Sequence, residues 1–153
     1  MKVRFLVWLC FCWPLWWSSA MAADPTDAQH ITAAMKKQFD RPDAPLDVGP
    51  VTVEGKYAVA GWTQDKQGGR ALLQKEKTGW FVAVCAGDGL TRAEVLKTTG
   101  MDATSAQKLA NAVLSAEVKL SVDKRRRFAS FQGLVKVDGP GAAHGHGAHP
   151  HPQ

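Results

Sequence analysis

Four imidazoles crowd the last ten residues of this 153-residue chain: His144, His146, His149 and His151, within Gly-Pro-Gly-Ala-Ala-His-Gly-His-Gly-Ala-His-Pro-His-Pro-Gln from Gly139 to Gln153. Imidazole is a good ligand for Cu(II), Ni(II) and Zn(II), and a flexible chain can bring two to four rings around one ion. In His144-Gly145-His146 the intervening amide can deprotonate and join both rings on a square-planar ion, whereas Pro150 and Pro152 have no amide proton to lose. The first half of the segment therefore favours Cu(II) or Ni(II), and the second half, offering imidazoles alone, leaves Zn or Ni as alternatives to copper. Nothing in residues 139–153 is larger than His, so this stretch is expected to be a disordered, His-rich metal-binding tail. The plainer alternative is a solvated low-complexity tail that takes up metal without consequence.

A second candidate is sulfur. Cys85 lies in Phe81-Val82-Ala83-Val84-Cys85-Ala86, an apolar run in which a thiol is expected to be buried and inert. The functional alternative makes Cys85 a Cu(I) ligand beside a thioether from Met35 or Met101, because soft sulfur donors suit Cu(I). The fifth histidine, His30, is expected on a helix surface. Lys124-Arg125-Arg126-Arg127 ends a predicted helix, where cations complement the negative end of the dipole and face water, with contact to anionic headgroups or a partner as the alternative.

Enzymatic constellations are missing from the pattern. Gly87-Asp88-Gly89 is too short for a phosphate loop, His30 alone cannot complete a Ser/His/Asp set, and Glu54, Glu76, Glu94 and Glu117 show no pairing for acid/base work. A non-enzymatic protein is expected.

These residues are distributed over three compositions. Lys2 and Arg4 precede an apolar run from Phe5 to Trp17, followed by Ser18, Ser19 and Ala20-Met21-Ala22. That run is too short for a membrane span of roughly 20 residues and fits a secretory signal. Residues 1–22 are thus expected to be a cleaved signal peptide, with cleavage after Ala22 or Ala23, leaving no stable membrane anchor. Cleavage removes Cys10, Cys12 and four of the six tryptophans, and the loss of Lys2 and Arg4 lowers the formal charge from +5 to +3. With Cys85 as its one remaining cysteine, an exported chain has no internal disulfide and depends on its core. Nucleic acid is not an expected partner there.

Residues 24–138 read as a single α+β domain. Asp24 caps and Pro25 opens a helix whose Ile31, Met35 and Phe39 form one stripe, and Arg41-Pro42-Asp43-Ala44-Pro45 stops it. Four β-type runs follow at 51–53, 57–63, 70–75 and 80–86, separated by turn residues that predict hairpin loops of about three to five residues. Thr91 with Glu94 resembles a capping box, and Gly100 closes the helix behind it. Asp102 or Thr104 opens a longer helix with Leu109, Val113, Leu114 and Val118 on one face. A short helix at 122–128 and a last strand at 131–137 complete the order. The expectation is an antiparallel meander of about four to five strands with the helices packed on one face.

Several stretches carry a family resemblance: Arg41-Pro42-Asp43-Ala44-Pro45-Leu46, Val53 through Trp62, Gly68-Gly69-Arg70-Ala71-Leu72-Leu73, and Trp80 to Asp88 with Cys85-Ala86-Gly87-Asp88. The chain resembles a family of small exported bacterial proteins described as copper uptake system-associated proteins, over most of its length and including the His-rich end. The resemblance implies a periplasmic role in copper uptake or homeostasis, with an outer-membrane copper receptor or another periplasmic copper protein as partner, and brings no catalytic or ligand residues with it. The alternative is a periplasmic small-molecule or protein binding module whose tail is incidental and whose concave sheet face is lined by Trp62 and Tyr57.

Overall fold

The computed structural model describes residues 25–137. The expected signal segment, the expected Asp24 cap and the His-rich residues 139–153 lie outside them. The order is α1 (Pro25–Phe39), β1 (Leu46–Glu54), β2 (Tyr57–Gln64), β3 (Gln67–Glu76), β4 (Gly79–Ala86), a 3₁₀ turn (Asp88–Thr91), α2 (Ala93–Thr98), α3 (Ala103–Glu117), α4 (Val122–Ala129) and β5 (Leu134–Lys136). The strands form one antiparallel sheet in sequence order, β1-β2-β3-β4-β5. This is the expected α+β meander, with five strands.

The hairpins are tighter than the turn residues suggest. Glu54 pairs with Tyr57, Gln64 with Gln67 and Glu76 with Gly79, so each loop is two residues long. Gly55 and Asp65 adopt positive φ and make two of these turns close. The flanking residues, including Gly68 and Gly69, therefore extend the strands. Likewise β1 starts at Leu46, ahead of Pro50, because proline is tolerated on the edge strand of a sheet.

Helices cover both faces of the sheet, a difference from the single covered face that one-sided strands would need. Consecutive residues of β2 and β3 are buried, and alternation sends them to two cores. Tyr57, Val59 and Leu72 pack with Leu96 of α2 and with Ala106, Leu109, Ala110 and Val113 of α3. Ala58, Ala60, Ala71 and Leu73 pack with Ile31 and Met35 of α1. In β4 the register shifts at Ala83, so that Val82 opposes Leu73 while Val84 opposes Leu72. One extra residue redirects alternation. Val82 thereby joins the α1 core and Val84 the α3 core.

Local signals set the helix ends. The Asp102 side chain accepts from Ser105 N at 2.9 Å and caps α3, and Ser121 caps α4 by accepting from Lys124 N at 3.2 Å. Thr91 does not cap α2; its Oγ1 donates to the Asp88 carbonyl at 2.8 Å and closes the 3₁₀ turn instead. On α3 the buried stripe is Ala106, Leu109, Ala110, Val113 and Glu117, while Leu114 and Val118 are exposed. Two alanines let α3 lie close to the sheet, and the stripe ends on a carboxylate because a guanidinium waits beneath it.

Candidate functional site

That guanidinium is Arg70, on the α3 side of β3. Opposite it in β2 is Gly61, where a Cβ would fall 2.5 Å from the Phe128 ring. Glycine is required there by the approach of α4. The vacated space admits the Phe128 ring, and the Arg70 guanidinium lies 5.5 Å from its centroid. Arg70 Nε donates to Glu117 Oε1 at 2.7 Å and Nη2 to Oε2 at 2.6 Å. Nη1 donates to Asp88 Oδ1 at 3.1 Å. The Arg70 and Glu117 side chains are 4% and 6% exposed and Asp88 is 67% exposed, so a buried fork is linked to one surface carboxylate.

Arg70 thus joins three elements to the sheet: α3 through Glu117, the 3₁₀ turn through Asp88 and α4 through Phe128. A cleft of about 330 Å³ opens above it, walled on the α4 side by Val122, Arg125 and Arg126. A neighbouring cleft of about 410 Å³ shares Asp88 and is bordered by Gly87, Arg92, Phe131 and Gln132. Both Glu117 oxygens are engaged by Arg70, so this carboxylate neutralises and positions the guanidinium. Sequence spacing alone gives Glu117 no pairing partner. Its signal was phase: Glu117 falls four residues after Val113, within the apolar stripe, where a charge requires a buried partner.

The sulfur candidates separate. Cys85 packs half-buried against the α1 core, to which Met35 belongs, while Met101 belongs to the α3 core on the other side of the sheet. Burial pushes the Cys85 thiol up to about 11, which keeps it protonated at neutral pH. Among the described residues, no group of three or more His, Cys, Asp or Glu is gathered as a metal site. His30 is exposed on α1. His144, His146, His149 and His151 lie outside the described residues.

The aromatic candidates serve the cores. Tyr57 is buried, and its hydroxyl donates to the Gly100 carbonyl at 3.2 Å, tying β2 to the end of α2. Trp62 meets Phe131 edge-on with centroids 5.8 Å apart, over Gly69, where a Cβ would sit 3.0 Å from the indole. Trp62 Nε1 is buried with no hydrogen-bond partner among the described residues. Neither ring borders the two clefts described above.

The basic run is distributed around α4. Lys124 Nζ reaches Asp47 at 2.7 Å, Arg126 lies 3.7 Å from Asp123, and Arg127 donates to the Asp65 carbonyl at 3.4 Å. Arg125 borders the cleft above Arg70.

Comparison with models of protein families, with curated proteins and with solved structures finds no match.

Proposed function

We propose that this chain is an exported, non-enzymatic accessory protein of copper uptake or homeostasis, in which the folded domain is a scaffold and the His-rich segment binds or hands over copper. The observation that carries the reading is the placement of four of the five histidines within residues 144–151. The thiol chemistry of the domain supports it, because a protonated, half-buried Cys85 is a poor competitor for Cu(II). Cu(II) is the favoured ion, with the His144-Gly145-His146 amide as an added donor that Ni(II) can also use, whereas Zn binds through imidazole alone.

On this reading the protein works in the periplasm after loss of residues 1–22. Its partner is an outer-membrane copper receptor or another periplasmic copper protein. Flexible-chain scaling gives a segment of about 15 residues a span of roughly 20 Å, enough to reach a neighbouring metal port while the domain stays docked.

The test is titration of Cu(II) and Cu(I) into the mature chain with and without residues Gly139 to Gln153. Loss of Cu(II) binding on truncation is the expected result. Binding unchanged by truncation would move the site into the domain, and no binding by either form would end the copper reading.

A further inference from the structure

Three of the five exposed large hydrophobic side chains among the described residues fall within nine positions: Leu114 at 49%, Val118 at 70% and Val122 at 53% exposure. Leu114 and Val118, one turn apart, emerge on the same side at the end of α3, and Val122 opens α4. The same helix–turn–helix corner carries Lys119, Lys124, Arg125, Arg126 and Arg127 against two acids, Asp123 at the surface and Glu117, which is buried and neutralised by Arg70. Of these cations only Lys124 makes a short ion pair, to Asp47; Arg126 and Asp123, 3.7 Å apart, are both mostly exposed. Val122, Arg125 and Arg126 face one cleft, so aliphatic and cationic groups share a side of α4.

We infer that this corner is an interfacial docking surface for an anionic phospholipid bilayer, with Leu114, Val118 and Val122 entering the headgroup layer and Lys119, Arg125 and Arg126 engaging lipid phosphates. Charge complementarity selects this occupant, since each Lys or Arg held at an anionic surface contributes about 1 kcal/mol and exposed aliphatic groups add burial. A protein partner is the less favoured occupant. Protein interfaces concentrate their energy on Trp, Tyr and Arg anchors in well-packed pockets; the corner supplies arginines but no Trp or Tyr. Long Lys and Arg stems can adapt to mobile headgroups and keep their charges in water. The inference is independent of copper: it concerns where the domain resides and not what the tail binds.

The test is sedimentation of the mature chain (residues 23–153) with vesicles of phosphatidylcholine alone or mixed with phosphatidylglycerol. Wild type is compared with Arg125→Glu/Arg126→Glu and with Val118→Ser/Val122→Ser, and circular dichroism melts verify that these surface variants fold. Binding should require phosphatidylglycerol and weaken with salt. It should fall at least about tenfold in the charge-reversed variant and about fivefold in the aliphatic one. Equal partitioning onto both vesicle types, equal binding by wild type and the charge-reversed variant, or no binding to the anionic vesicles would each overturn the inference; the last would turn attention to an acidic protein surface.

Discussion

The Arg70 guanidinium and the Glu117 carboxylate, 47 positions apart in sequence, form a two-point fork of 2.7 and 2.6 Å beneath α3, with both side chains almost fully removed from water. Removing Arg70 leaves Glu117 buried and uncompensated, and removing Glu117 leaves the buried Arg70 with only the exposed Asp88 as partner. Glu117→Leu or Arg70→Met alone should cost about 3–5 kcal/mol, whereas the double replacement should cost much less, because no charge remains stranded. Urea unfolding of the four proteins in a double-mutant cycle measures this, and additive losses would show that the two residues act separately.

Gly61 should reject any side chain. A methyl group there meets the Phe128 ring at 2.5 Å, and Gly61→Ala should destabilise the fold by about 1–3 kcal/mol through overpacking. Phe128→Ala, which empties the same space, should cost about 3–5 kcal/mol. Thermal melts of both single variants check the pair.

Burial, and not hydrophobicity, separates two leucines on α3. Leu109→Ala should cost about 2–5 kcal/mol. Leu114→Ser should change stability by no more than about 0.5 kcal/mol, as an exposed surface position. Denaturant midpoints for the two variants distinguish this face from the one containing Leu114 and Val118.

Asp27 accepts hydrogen bonds from Lys75 Nζ at 2.7 Å and Trp80 Nε1 at 3.0 Å, joining α1 to the β3–β4 hairpin. The Lys75 bond, then the Trp80 bond, hold its carboxyl below the ordinary range. A depressed native value contributes stability above the unfolded-state value, and that contribution is lost as pH falls through the native one. Wild type should therefore lose stability relative to Asp27→Asn as the solution is acidified below about pH 4. Unfolding curves at pH 7 and pH 3 would show the gap between the two proteins narrowing.

The Cys85 thiol should react slowly. With its native value raised to about 11, little thiolate exists near neutrality. At pH 8 a disulfide reagent should modify it at least about tenfold more slowly than free cysteine, with the rate rising until pH passes the native value. The sign for stability is the opposite of that for Asp27: the unfolded thiol ionises first, so stability falls as pH rises between the two values.

Much of the architecture was legible because it depends on local patterns. Ile31 and Met35 share a buried stripe as their four-residue spacing requires, Asp102 caps α3, and strands appear at each β-type run. Strand lengths were underestimated because Gly68 and Gly69 read as turn residues. In the folded chain they are strand positions pressed by the Arg127 backbone and the Trp62 ring. Apolar spacing puts Leu114 and Val118 on one face with Leu109 and Val113, yet both are exposed. Glu117 takes the inward position because Arg70 lies below it. The candidate site divides in the same way: the imidazole segment is visible in composition alone, and the Arg70 cluster is not.

The sequence by itself determined the three compositions, the meander and the concentration of metal-binding chemistry in the last residues, since these depend on residue type and short-range spacing. Only the tertiary structure decided that helices cover both faces, that a single extra residue at Ala83 assigns Val82 and Val84 to different cores, and that Arg70, Asp88, Glu117 and Phe128 meet. The physical reason is that pairing a buried charge and filling the space beside a glycine are properties of residues brought together from distant parts of the chain.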